Sequence, residues 1–180
     1  MKTALLVIFF ASAVVAQNPA QVPHAAACGP MNIRFQVTID PGQTSPPEIE
    51  TGKALIYVVE DQKFKAVNDV TARIGLDGSW VGATRGNSYL FFSVEPGEHH
   101  LCADWVSKLV PSGREVSLFG FTAEAGKTYY FRARTTGGPP SAMDRNGLGD
   151  MAAIDLDLIN SDEGKLLVSS SPVSISHAKK

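Results

Sequence analysis

The sequence predicts an all-β protein, an antiparallel β-sandwich of about eight or nine strands. Three observations predict it. Apolar and polar residues alternate with a two-residue period in several short segments, as in half-buried strands. Gly, Pro, Asn and Asp separate these segments at short intervals. The connections are mostly too short for the crossover helices that parallel strands need, so an antiparallel arrangement is expected.

The strands follow one another along most of the chain. Alternation of Ile33, Phe35 and Val37 with polar residues marks the first strand, and the apolar run at 54–59 (ALIYVV) predicts a central one. Asp77-Gly78 is a strong hairpin signal between two later strands. Strands are predicted over residues 33–39, 54–59, 70–76, 80–84, 88–94, 99–106, 115–123, 127–134 and 153–159.

Helical signals are sparse and lie near the C terminus. Ser161 is a good N-cap and is followed by two acidic residues, so one short helix through Val168 is expected. The predicted organisation is an extended N-terminal segment (17–30), one sandwich domain (31–168) and a flexible Ser-rich tail (169–180). The sixteen residues 135–150 have no strand pattern, and connections of this length are often functional or disordered.

The N terminus has the pattern of a secretory signal peptide. Lys2 precedes an apolar run, Ala4–Ala16, that ends in small residues, so residues 1–16 are predicted to be removed. The run is too short to span a bilayer, and no later segment is apolar enough to do so. Cys28 is poorly placed for lipidation because it lies beyond the apolar run. Export to the periplasm, cell surface or medium is therefore expected.

Charge and cysteine content narrow the function further. The formal net charge of −2 gives no field that would attract nucleic acid. The sequence has two cysteines, Cys28 and Cys102, and an even pair in an exported protein predicts a disulfide. Closing this long loop would contribute about 4 kcal/mol on the chain-entropy model. The alternative is two unconnected buried thiols.

The stretch 94–105 (VEPGEHHLCADW) resembles a metal or nucleophile centre because two histidines, a cysteine and an aspartate lie close together. Strand alternation separates them: His99 shares a face with the core residues, whereas His100, Cys102 and Asp104 point to the other face. Their spacing is loose for a tetrahedral metal site. No catalytic, cofactor or metal residues are therefore predicted, and His99 is expected to hydrogen-bond a neighbouring backbone group.

The remaining polar and aromatic residues give weaker signals. Trp80, His100, Asp104 and Arg145 are candidate ligand contacts, Arg145 because it lies in the 135–150 connection. Asp155 and Asp157 share one face of a strand, and Arg132 and Arg134 share one face of another. Both pairs are expected to be solvated.

Four motifs occur in series and carry a resemblance. They are residues 52–58 (GKALIYV), 76–82 (LDG with VG), 94–101 (V-x-PG-x-H-x-L) and 123–132 (A-x-AGKTYYFR). The series resembles an uncharacterised bacterial family of exported or lipoprotein domains, and its middle part is similar to PEGA-type surface-layer domains. The resemblance implies an envelope location and a prealbumin- or immunoglobulin-like sandwich. It implies no activity, and this chain lacks a cysteine at the signal junction.

These observations support three hypotheses of function. The first is a non-catalytic exported domain that binds an unknown envelope protein or glycan or acts as envelope structure, without a cofactor. The second is a carbohydrate or small-molecule binding module that uses Trp80 and the 135–150 connection. The third is a metal-dependent hydrolase built around His99, His100 and Asp104, which the strand alternation disfavours.

Overall fold

A computed structural model describes residues 27–42, 48–62, 71–106, 116–136 and 153–179. These residues form ten strands in two sheets and one short helix, which confirms the predicted all-β sandwich. The signal peptide predicted at residues 1–16 lies outside the described residues.

The strands nearly all begin and end within a few residues of the predicted positions, because alternation and turn residues are local signals. The elements are β1 Arg34–Asp40, β2 Ala54–Glu60, β3 Thr71–Leu76, β4 Ser79–Arg85, β5 Tyr89–Val94, β6 Gly97–Val106, β7 Val116–Ala123, β8 Thr128–Thr136, β9 Ala153–Ile159, α1 Ser161–Ser170 and β10 Val173–Lys179.

The six-stranded sheet has the order β1-β10-β5-β2-β8-β9, and the four-stranded sheet has the order β4-β3-β6-β7. Most neighbours are antiparallel, as predicted, but β2 pairs with β8 and β10 pairs with β5 in parallel. The strictly antiparallel prediction is thus wrong at these two pairs. No crossover helix is needed between β2 and β8, because the chain between them includes the strands of the other sheet.

The main core lies between the two sheets. Alternate residues of the central strand β2, Ala54, Ile56 and Val58, are fully buried against inward residues of the facing sheet such as Ile74 and Leu101. The other residues of β2 are buried too, because α1 packs over the outer face of the six-stranded sheet. A strand buried on both faces explains the continuous apolar run.

The C-terminal segment is not a flexible tail. Strand β10 pairs with β1 over seven residues, Val173–Lys179, and the prediction of a frayed end is wrong. Val173 and Ile175 alternate with Ser174 and Ser176, and these serines made the segment resemble a flexible tail.

The N-cap of helix α1 lies one residue before the predicted one. Asn160 rather than Ser161 is the N-cap, since its side-chain oxygen accepts hydrogen bonds from the Asp162 and Glu163 amides. The helix ends at Ser170, two residues beyond the predicted end.

The N-terminal segment lies on the outer face of the four-stranded sheet before it continues into β1 in the other sheet. Ala27, Cys28 and Gly29 are buried there, in a turn and bend rather than in the extended form predicted for 17–30. The tight approach needs glycine: a Cβ on Gly75 would lie 2.7 Å from the Ala27 carbonyl oxygen. Residues 17–26 lie outside the described part of the chain.

Candidate functional site

A disulfide joins the N-terminal segment to the four-stranded sheet. Cys28 and Cys102 are bonded; they lie 74 positions apart in sequence, with 5.2 Å between their Cα atoms. Both are buried, and Val116 packs against them. The predicted pair is confirmed in the structure. A bonded Cys102 has no thiolate to act as nucleophile or metal ligand.

Asp104 is not on an accessible outer face, which corrects its placement as a candidate ligand contact. It lies opposite Arg73 of β3 in the strand register and forms an ion pair with it, with both side chains 1% exposed. The N-terminal segment covers this side of the sheet, so burial leaves Asp104 no surface to offer a ligand.

Arg73 is the residue of this site that sequence reasoning missed. Its Nη1 donates hydrogen bonds to the carbonyl oxygens of Ile33, at 2.7 Å, and Met31, at 3.2 Å. The guanidinium therefore holds both the Asp104 carboxylate and the N-terminal backbone. An arginine within an otherwise apolar strand, TARIGL, was the available signal.

Trp80 belongs to the same cluster. Its indole Nε1 donates to the Pro30 carbonyl oxygen at 2.8 Å, and the Arg73 Cζ lies 4.4 Å from the ring centroid. A Cβ on Gly29 would lie 2.6 Å from Trp80 Cγ, so the segment sits directly on the ring. Trp80, a candidate ligand contact, is half-buried beneath this segment. We call Cys28, Arg73, Trp80, Cys102 and Asp104 the N-terminal clamp.

His99 and His100 point to opposite faces of β6. His100 is exposed on the outer face, beside Gly120, whose Cβ would lie 3.7 Å from the imidazole Cδ2. The backbone amide of His100 donates to Asp77 Oδ1 at 2.8 Å. Cys102 separates His100 from Asp104 on this face, so the structure does not bring these two candidate contacts together.

His99 occupies the hairpin end of β6 between two acceptors. Its Nδ1 lies 2.6 Å from Asp77 Oδ2 and its Nε2 lies 2.8 Å from the Glu95 carbonyl oxygen. The predicted bond to a neighbouring backbone group is thus present. Since a carboxylate and a carbonyl can only accept, this geometry favours the imidazolium form, in which both ring nitrogens carry protons. An imidazolium has no lone pair with which to bind a metal or accept a proton.

The pKa shifts of the pair agree with this geometry. Burial opposes the charge on His99, but the hydrogen bonds to Asp77 and Glu95 outweigh it, so the pKa of His99 is raised above 6.5. Burial likewise opposes the charge on Asp77, but the bonds from His99 and the His100 amide lower its pKa below 3.8. Each partner stabilises the charged form of the other.

The acidic and basic pairs of β8 and β9 are not simply solvated. Arg132 Nη1 lies 2.6 Å from Glu163 Oε1 of α1, and Arg134 Nη2 lies 3.2 Å from Asp157 Oδ2. The first contact attaches α1 to the sheet and the second joins β8 to β9, which corrects the expected solvated stripes for Arg132, Arg134 and Asp157. Asp155 is exposed, as expected.

The remaining observations concern Arg145, metal binding and membrane spans. Arg145 and the connection from 137 onwards lie outside the described residues. Among the described residues, no group of three or more His, Cys, Asp or Glu side chains could hold a metal ion. No helix in the same part of the chain is long and apolar enough to cross a membrane.

Comparison with known proteins gives one match. No curated protein and no solved structure matches the chain. The model of a family described as protein of unknown function (DUF2846) matches residues 50–148, which is more than half of the 180 residues. The matched range includes β2 to β8, and Cys28 lies before it. The chain therefore belongs to the DUF2846 family, an uncharacterised domain family.

Proposed function

We propose that the protein is exported to the periplasm, cell surface or medium and acts there by binding a protein of the envelope, without catalysis. The observation that carries the proposal is the Cys28–Cys102 disulfide, because disulfides persist mainly in oxidising, extracytoplasmic compartments. The signal-peptide pattern at residues 1–16 supports the same location.

The use of the polar residues supports binding rather than catalysis. Cys102 is in the disulfide, Asp104 is buried against Arg73, and both ring nitrogens of His99 face hydrogen-bond acceptors. A hydrolase built on these residues would need a free thiolate, carboxylate or imidazole nitrogen. The geometry therefore disfavours the metal-dependent hydrolase.

The surroundings of Trp80 favour a protein partner over a glycan. Sugar stacking requires an open aromatic face, whereas Arg73 lies over the Trp80 ring and the Pro30 carbonyl accepts its indole N–H. His100 is the exposed member of the candidate contacts that the structure describes. It lies on the outer face of the four-stranded sheet, beyond the N-terminal clamp.

Site-specific photo-crosslinking in living cells tests the proposal. A photoreactive residue at position 100 should form an adduct with a discrete envelope protein. Position 155, exposed on the edge strand of the other sheet, is the matched control and should give none. Absence of adducts from position 100, or the same adducts from both positions, would contradict the proposal.

A glycan array run on the purified protein distinguishes the carbohydrate-binding hypothesis from the protein-partner proposal. We expect no signal. Glycan binding that is lost in Trp80→Ala, with unchanged folding by circular dichroism, would replace the protein-partner proposal with the carbohydrate one. Retention of the protein in the cytoplasm would contradict both.

A further inference from the structure

Glu60 is a carboxyl group placed inside the sandwich. It is the last residue of β2, whose alternate residues Ala54, Ile56 and Val58 lie in the main core. The two-residue period puts Glu60 on the same inward face. The side chain is 2% exposed.

Few hydrogen bonds compensate for this burial. The Gln62 side-chain amide donates to Glu60 Oε1, but no described group donates to Oε2 with normal hydrogen-bond geometry. Thr84, Gly86 and Gln62 all favour the charged form, yet burial outweighs them and raises the pKa of Glu60 to about 7. A carboxyl group in these surroundings is held neutral at mildly acidic pH.

No described residue that faces Glu60 carries a charge. Within its own sheet, Glu60 is flanked by Ser88, which directly precedes β5, and by Ala133 of β8. Ala72, Thr84 and Trp105 form one cross-strand row on the inward face of the other sheet. The charged residues of the same elements alternate to the outer faces: Asp61, Arg73, Arg85, Asp104, Arg132 and Arg134.

The backbone at Glu60 and Gln62 is hydrogen-bonded to the turn between β4 and β5. The Glu60 amide donates to the Ser88 carbonyl at 2.8 Å, and the Gln62 amide donates to Asn87 Oδ1 at 2.6 Å. Ser88 Oγ in turn lies 2.5 Å from Ser174 Oγ of β10. The protonation state of Glu60 therefore acts at a junction of β2, the 85–88 turn and β10.

We propose that Glu60 is a pH-sensitive switch at this end of the sandwich: its neutral form is compatible with the closed packing, and its ionisation loosens the contact between β2 and the 85–88 turn. An ionised carboxylate needs several donors or water, and in the closed junction no described group donates to Glu60 Oε2 with normal hydrogen-bond geometry.

The direction of the pH effect follows from linkage. The pKa of Glu60 is 4.5 in the unfolded chain and about 7 in the folded one. Folding therefore takes up a proton between these values. The stability that Glu60 contributes is greatest below pH 4.5, falls as pH rises through 7 and then levels off. The folded-to-unfolded ratio should fall on the order of 100-fold over this range from Glu60 alone.

The test is urea unfolding of the disulfide-intact protein between pH 5 and pH 8.5. Between these two pH values, the folded-to-unfolded ratio of wild type should fall about 100-fold relative to that of Glu60→Gln. Asp155→Asn, at an exposed carboxylate, should keep the wild-type profile. The protection of amides in the 85–88 turn against hydrogen exchange, corrected for the base-catalysed intrinsic rate, should fall at high pH in wild type and stay constant in Glu60→Gln.

Carboxyl carbon NMR of wild type keeps the test decisive if Glu60→Gln does not fold. A Glu resonance that titrates near pH 7, with its transition matching the loss of stability, would support the switch. Parallel pH profiles for wild type and Glu60→Gln, or titration of every Glu carboxyl below pH 5, would overturn it.

Discussion

The ion pair between Arg73 and Asp104 should make a large contribution to folding. The pair joins β3 to β6 beneath the N-terminal segment, and both side chains are 1% exposed. In Asp104→Ala the guanidinium stays buried with the carbonyls of Met31 and Ile33 but loses the carboxylate. Removing one partner of a buried pair costs about 3–5 kcal/mol. For a chain of this size the loss corresponds to a fall in Tm of roughly 6–20 °C.

Urea unfolding with the disulfide intact measures this cost. Arg73→Met/Asp104→Leu should recover much of the stability lost in Asp104→Ala, because it removes both charges and leaves apolar side chains of similar volume. Asp155→Ala, at an exposed carboxylate, is the control and should stay within about 0.5 kcal/mol of wild type. A loss below about 1 kcal/mol in Asp104→Ala is the range of exposed ion pairs and would contradict a large contribution from the buried pair.

Three further predictions concern the disulfide, His99 and α1. Cys28→Ser/Cys102→Ser should lower the free energy of unfolding by about 4 kcal/mol in urea, and reductant should destabilise wild type but not this variant; equal sensitivity to reductant would contradict the bond. NMR titration should place the pKa of His99 above 6.5 and show a lower pKa in Asp77→Asn. The stability that this contact contributes should be full below pH 6.5 and be lost as pH rises through the folded-state pKa of His99. An unchanged pKa of His99 in Asp77→Asn would show that the contact is absent. Gly164→Ala should destabilise by about 1–3 kcal/mol despite the better helix propensity of alanine, because the new Cβ would lie 2.5 Å from Tyr130 Cβ, whereas Lys165→Ala on the exposed side should be neutral; a stabilised Gly164→Ala would contradict the packing of α1.

Much of the fold was predictable because its signals are local. Alternation gave β1 and β3, the apolar run gave β2, and Asp77-Gly78 gave the hairpin between β3 and β4. Strand order was not predictable, since the parallel pairing of β2 with β8 depends on contacts between distant segments. β10 was missed because its stability comes from pairing with β1, not from its own Ser-rich sequence.

The candidate site divides in the same way. The disulfide was predictable because the chain has two cysteines, and the opposite orientation of His99 and His100 follows from strand alternation. The partner of Arg73 was not predictable, because it depends on the strand register that places Arg73 opposite Asp104, 31 residues away. The role of Asp77 was missed too, since its turn position suggested a hairpin and not a hydrogen bond to His99.

The proposed export places outside the cytoplasm a protein whose N-terminal segment is disulfide-bonded to the outer face of the four-stranded sheet. Peptide mapping of the protein recovered from outside the cytoplasm, alkylated without reduction, tests this claim directly. We expect an N terminus at Gln17 and one linked peptide pair that contains Cys28 and Cys102. Alkylated Cys28 and Cys102, or a chain that still begins at Met1, would contradict it.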